Sequence, residues 1–172
     1  DRPFEVVHID HTLADVELVD SSQQVRLGKP WFTLAICANT RRILAVHVSF
    51  DPPSYRTLMV IVRILVKSWG RLPESLVVDG GKEFRSVYFE TLLARHHVTK
   101  ITRPSAKPRF GSVIERLFGT SNAQFIHNLE GNTQITQHLR QVTQGVDPKR
   151  RALWTLLTLY QGLSYWATEV YD

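Results

Sequence analysis

The chain has 172 residues, 43% of them hydrophobic, with 21 Lys and Arg against 16 Asp and Glu, for a formal net charge of +5 and a pI near 9.6. That length fills one core and is short for two ordinary domains, so a single domain is expected, excised from a longer protein because it opens on Asp1-Arg2-Pro3 rather than Met. The single cysteine, Cys37, excludes an internal disulfide and a zinc-cysteine cluster. No apolar run approaches the roughly 20 residues of a membrane span and no signal peptide opens the chain, so a soluble intracellular protein is expected. The excess of positive charge suits a polyanionic partner.

In chain order, Phe4–Asp10 alternates as a strand, with Phe4, Val6, His8 and Asp10 on one face and Val7 and Ile9 on the other. Trp31–Ala38 and Arg42–Phe50 read as two strands joined at Asn39-Thr40 into an antiparallel hairpin. Pro52-Pro53 ends that hairpin, and Ser54 caps a helix running to Trp69, apolar on most faces, which Gly70 stops. A short buried strand spans Ser75–Asp79, a helix Lys82–His96 and a further strand Val98–Arg103, a strand-helix-strand unit that implies parallel pairing with a right-handed crossover. Further helices are expected over Ser112–Asn128, Thr133–Thr143 and from Asp147-Pro148 to Tyr171. The sum is an α/β domain: a mixed five-stranded sheet, three antiparallel strands then parallel ones, with helices on both faces.

Three acids stand out against this order: Asp10 closing the first strand, Asp79 closing the fourth, and Glu115 opening a helix. In open sheets of this kind sites lie at the carboxyl ends of strands. Each acid has a structural reading of its own. Asp10 suits a strand-end turn, Asp79-Gly80-Gly81 suits an Asp-Gly turn, and Ser112-x-x-Glu115 matches a capping box. Taken together they point to a cation, because carboxylates brought within ~4 Å of one another repel by several kcal/mol at an effective dielectric near 20. Hard oxygen ligands suit Mg²⁺ or Mn²⁺. Lys100, Arg103, Lys107, Arg109 and Arg116 form a basic strip leading into and just past Glu115, loosened by Pro104, Pro108 and Gly111. Lys82, Lys107, Arg109 and Arg116 are the phosphate-gripping candidates. His8 is read as a packing or hydrogen-bonding residue, His11 and Asp15 as loop residues, and Glu83 as an acid favoured by a helix dipole. Trp154, Tyr160, Leu163 and Trp166 are read as core or partner-packing residues.

The segments His8-Ile9-Asp10-His11-Thr12, Lys29-Pro30-Trp31-Phe32-Thr33-Leu34-Ala35-Ile36, Ser49-Phe50-Asp51-Pro52-Pro53-Ser54-Tyr55, Val78-Asp79-Gly80-Gly81-Lys82-Glu83-Phe84 and Ile114-Glu115-Arg116-Leu117-Phe118-Gly119-Thr120 resemble the catalytic core of D-D-E transposases, in the TnsB-like and Mu-like branch of the retroviral integrase superfamily. The likeness runs from about Phe4 to Asp172. It implies an RNase H-like fold in which Asp10, Asp79 and Glu115 are the catalytic, metal-binding triad. Two Mg²⁺ ions, with Mn²⁺ as a substitute, would be held in the DNA-bound state, one by Asp10 and Asp79 and the other by Asp10 and Glu115. It also implies transposon-end and target DNA as substrates, a homo-oligomer on paired ends, an ATPase regulator and other transposition proteins as partners, and a bacterial cytoplasmic, nucleoid-associated location. The chain departs from the family in carrying Gly80-Gly81 where relatives have Asn-Gly, and Ala106–Val113 where they have a glycine- and lysine-rich approach to the glutamate. The rival readings are an RNase H-like nuclease or resolvase that cuts without joining, and a non-catalytic DNA-binding module.

Overall fold

The structure, a computed structural model, describes residues 2–22, 25–104, 116, 119, 120 and 154–171. Strands β1 (Val6–Leu13), β4 (Trp31–Cys37), β5 (Ile43–Ser49), β6 (Ser75–Val78) and β7 (Thr99–Thr102) form one five-stranded sheet in the order β5-β4-β1-β6-β7. The β1–β4 and β4–β5 pairs are antiparallel and the β1–β6 and β6–β7 pairs parallel, as the chain order predicts. A small second sheet that the sequence did not announce pairs β2 (Leu18–Val19) with β3 (Arg26–Gly28). It is tied to the C-terminal segment by a bridge from Leu18 to Trp154.

Helices cover both faces. Helix α1 (Tyr55–Trp69) starts at Ser54, whose hydroxyl accepts from the Arg56 amide, and ends at Gly70, whose φ of 72° is the left-handed geometry that glycine adopts without a steric penalty. It buries Leu58, Ile61, Val62 and Leu65, one face at helical spacing. Val66 stays 44% exposed, so α1 is a one-sided helix rather than one buried on most faces. Together with α2 (Val87–Arg95) it packs Val7, Ile9, Ala35, Leu76, Val78, Phe84 and Phe89 into one core. On the opposite face α3 (Leu156–Tyr165), followed by a π-helical turn (Trp166–Val170), packs Leu159, Leu163, Trp166 and Ala167 against Phe32, Leu34, Ile36 and Val48. Of the residues read as core in that helix, Leu163 and Trp166 are buried, Trp154 packs at the edge, and Tyr160 is 40% exposed.

Three expectations need correction. β1 does not stop at Asp10 but runs to Leu13, because β4 supplies ladder partners from Cys37 down to Trp31. The helix expected over 82–96 is two pieces, a 3₁₀ turn (Lys82–Arg85) and α2, separated by Ser86 in extended geometry at φ −60°, ψ 131°. The described last helix begins at Leu156, where Thr155 in extended geometry caps it, and the expected start at Asp147 lies outside the described residues. The hairpin turn spans Ala38–Arg42 rather than two residues, with Arg41 in the left-handed region at φ 67°. The helices expected over 112–128 and 133–143 lie largely outside the described residues.

Candidate active site

Register places the first two acids. In the parallel pair Val6, His8 and their neighbours face Ser75 to Val77, so continuing the ladder two residues past His8 and Val77 brings Asp10 alongside Asp79. Asp79 directly follows β6, whose last residue is Val78. Asp10 therefore has a strand on one side, where it pairs with Leu34, and on the other the carboxyl end of a shorter strand. Alternation along β1 sends Val7 and Ile9 into the α1 core and turns His8 and Asp10 to the α3 side.

Both oxygens of Asp10 are engaged. Oδ1 accepts from the His11 amide at 2.9 Å, and Oδ2 accepts from Arg103 Nη2 at 2.6 Å. This is an ion pair with side chains only 16% and 9% exposed, so it is well shielded from solvent. Arg103 follows β7, and its amide donates to the Val78 carbonyl at 2.7 Å. From there its side chain crosses the end of β6 to reach β1. Arg103 was read as one of a mobile basic strip. Instead it turns inward, as does Lys100, which donates to the Phe84 carbonyl at 2.8 Å and pairs with Glu90.

The Asp79 loop is self-bracing. Asp79 Oδ1 accepts from the Gly81 amide at 2.8 Å. The Glu83 carboxylate folds back over Gly81, where a β-carbon would come within 2.7 Å of Glu83 Cδ. At Gly80 a β-carbon would meet only Arg85 Nη2, at an ordinary 3.7 Å. Glu83 also lies 3.7 Å from His11 Nε2, and His11 Nδ1 shares a 2.7 Å hydrogen bond with Thr33 Oγ1 while its ring stacks on Phe84.

His11 is thus no loop residue. It is a strand residue packed beside the Asp79 loop from the α1 side: its ring stacks on Phe84, and its buried Nε2, 3.7 Å from Glu83, has no hydrogen-bond partner among the described residues. Burial holds the His11 imidazole below its ordinary pKa, opposed by the carboxylates of Asp10 and Asp79. His8 is likewise held low by burial, then by the positive charges of Arg103 and Arg41, and its Nδ1 has no hydrogen-bond partner among the described residues.

Lys82 is exposed at the start of the 3₁₀ turn, three residues beyond Asp79, and Arg116 is exposed. Asp15 lies in a bend and pairs with Lys29 at 3.5 Å. Glu115, Lys107 and Arg109 lie outside the described residues. Among the described residues no group of three or more His, Cys, Asp or Glu side chains is placed to share a metal ion. Asp10 and Asp79 are oxygen donors of the type Mg²⁺ and Mn²⁺ select, and the Asp10 oxygen already holds a cationic group, so this pair fits a divalent cation chemically.

Residues 8–131 match the model of the TnsB C-terminal domain family. The chain belongs to that family. It is 27% identical over 139 residues to the transposase for transposon Tn552 of Staphylococcus aureus, a match that takes in 76% of this chain and 28% of that relative's length. Among solved structures, the catalytic core domain of the HTLV-2 integrase in complex with magnesium superposes in its trimeric form with a TM-score of 0.56 at 13% identity, covering 99% of this chain and 88% of that one. The dimeric form gives 0.53 at 14% identity, covering 81% and 78%. A simian T-cell lymphotropic virus intasome in complex with the PP2A regulatory subunit B56 gamma gives 0.56 at 12% identity over 86% of this chain and 53% of that one. The fold is RNase H-like, that of retroviral integrase cores. Family and fold together support a transposition-related DNA-binding or catalytic domain. Among the described residues no helix is long and apolar enough to cross a membrane.

Proposed function

We propose that this TnsB-family domain is the catalytic core of a D-D-E transposase, a polynucleotidyl transferase that cuts transposon ends to leave a 3′-hydroxyl and joins them to target DNA. The observation that carries the reading is the β1–β6 register, which, continued past His8 and Val77, sets Asp10 of β1 beside Asp79 at the carboxyl end of β6, in a chain of this family. Asp10, Asp79 and Glu115 would hold the metal ions, Mg²⁺ or Mn²⁺. When bound, such ions activate an attacking oxygen and neutralise charge on the leaving one.

The remaining work falls to the protein. Asp10 is fixed from behind by the His11 amide, and Asp79 by the Gly81 amide, so both carboxylates keep a set direction with little reorganisation. The exposed amine of Lys82 and guanidinium of Arg116, with Lys107 and Arg109, would take the phosphates of transposon-end and target DNA on either side of the scissile bond. Phosphate contacts set position and register but not sequence, so end recognition would fall to other parts of a longer protein. Assembly as a homo-oligomer on paired ends, with an ATPase regulator and other transposition proteins, belongs to the same reading.

The test is a strand-transfer assay with the full-length protein, radiolabelled transposon-end DNA and Mg²⁺. Asp10→Asn, Asp79→Asn and Glu115→Gln should each reduce joined product by on the order of 10³-fold, about 4 kcal/mol of transition-state stabilisation. End cleavage without any joining by the unaltered protein would favour the nuclease reading. Salt-sensitive DNA binding with no metal-dependent cutting would favour a non-catalytic module.

A further inference from the structure

The proposed metal site already contains a positive charge. Arg103 Nη2 sits 2.6 Å from Asp10 Oδ2, across 93 residues of sequence, in a pair shielded from solvent on both sides. The guanidinium is anchored from its backbone, since the Arg103 amide donates to the Val78 carbonyl at the end of β6. Its Nε is buried and has no hydrogen-bond partner among the described residues. A guanidinium that was placed purely to brace the fold would be expected to present its planar fork to a carboxylate through two parallel bonds. Among the described residues the Arg103 side chain makes a single hydrogen bond, through Nη2, and its buried Nε has no partner, which costs stability.

Resting on the transposase reading, we infer that Arg103 is a positioning residue that acts as the built-in counter-cation of Asp10: it keeps the carboxylate in place while no metal is bound and must release Oδ2 for a divalent cation to coordinate there. The reasoning is electrostatic. Asp10 and Asp79 lie side by side when the register is continued, and like charges on neighbouring strands are eased by a cation beside them. Arg103 provides one in the metal-free chain. A divalent cation on the same oxygen meets both a filled seat and a like charge, so the two cations compete. The side chain crosses the end of β6, the strand that delivers Asp79, so the guanidinium displaced from Asp10 remains at the rim of the site, where it can face a phosphate. This trait separates Arg103 from Lys82 and Arg116, which are exposed and form no such pair among the described residues.

The experiment is an Mn²⁺ titration of the chain without DNA, following the free-ion signal by electron paramagnetic resonance, together with thermal melts at zero and saturating Mn²⁺. Arg103→Gln should bind Mn²⁺ about tenfold more tightly than the unaltered chain, the scale of a shielded ion pair that no longer has to be broken. It should also melt lower without metal, and Mn²⁺ should close that gap. Arg103→Lys, which keeps the charge on a shorter reach, should fall between the two, and it carries the same comparison if the Gln variant does not fold. Asp10→Asn should remove the binding in every background. Equal Mn²⁺ affinity in the unaltered, Gln and Lys chains, with Asp10→Asn still abolishing binding, would overturn the competition and leave the metal reading standing. Absence of any Asp10-dependent Mn²⁺ binding in all of them would overturn both.

Discussion

Asp10 and His11 are neighbours in sequence and lie on opposite faces of the sheet, and the two faces treat polar groups differently. On the α3 side, Asp10 and His8 meet Arg103 across the carboxyl ends of the parallel strands. On the α1 side, His11 is locked among Thr33, Glu83 and Phe84, inside a core closed by two helices. One strand therefore carries a chemical group outward to a site and, one residue later, a structural group inward to a brace. The brace holds the loop that delivers the second acid. Fold stability is expected to depend on the α1 side and metal chemistry on the α3 side.

The largest expected difference is between Phe84→Ala and Asp10→Asn. Phe84 is 1% exposed, stacks on His11 at 5.3 Å between centroids and meets Phe89 edge-on at 6.4 Å. Its truncation should cost about 3–5 kcal/mol in urea unfolding. Asp10→Asn should cost less, about 1–3 kcal/mol, because the amide oxygen can accept from Arg103 or from the His11 amide but not from both. Comparable losses for the two would show that the faces are not specialised in this way.

A smaller effect sharpens the same comparison. Gly81 has φ −57° and ψ 152°, a backbone geometry open to any residue, so alanine there suffers only from collision with the Glu83 carboxylate. Gly81→Ala should push Glu83 off His11 and cost about 1 kcal/mol. In a Glu83→Ala background the obstacle is gone. The same substitution should then become neutral or stabilise by about 0.4–1 kcal/mol through the less flexible unfolded chain. A double-mutant cycle that shows simple additivity would remove Glu83 from the brace.

These details mark where the sequence could be read and where it could not. Alternating apolar residues announced the strands, and Ser54 and Gly70 announced the ends of α1, because those signals are local to the residues concerned. The extension of β1 to Leu13 was hidden because it depends on β4, whose Trp31 lies far along the chain. The break at Ser86 was hidden because the 82–96 stretch keeps an apolar periodicity through Phe84 and Phe89 on either side of it. Arg103 looked like any basic residue at the end of a strand. Nothing in Thr102-Arg103-Pro104 shows that its side chain crosses one strand to reach another. His11 could have been suspected, since β1 places it on the same face as Val7 and Ile9, where an imidazole needs a partner. Asp10 and Asp79 were legible as acids in or just after apolar strand runs, and the parallel register, continued, sets the two side by side.

The smallest expected effect is on pH, and it too separates the faces. His47 on β5 lies opposite Thr33, on the α1 side, and burial holds its pKa below the ordinary 6.5. Above pH 6.5 the imidazole is neutral in both the folded and unfolded chain and contributes nothing to the balance. As pH falls below 6.5 the unfolded chain binds a proton that the folded chain refuses until its own lower pKa is reached, so stability falls across that window and levels off beneath it. Melts of metal-free protein between pH 7.5 and 5 should therefore drop on the acid side, and His47→Gln should flatten part of the drop. His8 and His11, also lowered by burial, act with the same sign. If His47→Gln left the pH profile unchanged while Arg103→Gln altered it, the acid sensitivity would not come from His47, and His8, beside Arg103 and Asp10 on the α3 side, would be its source.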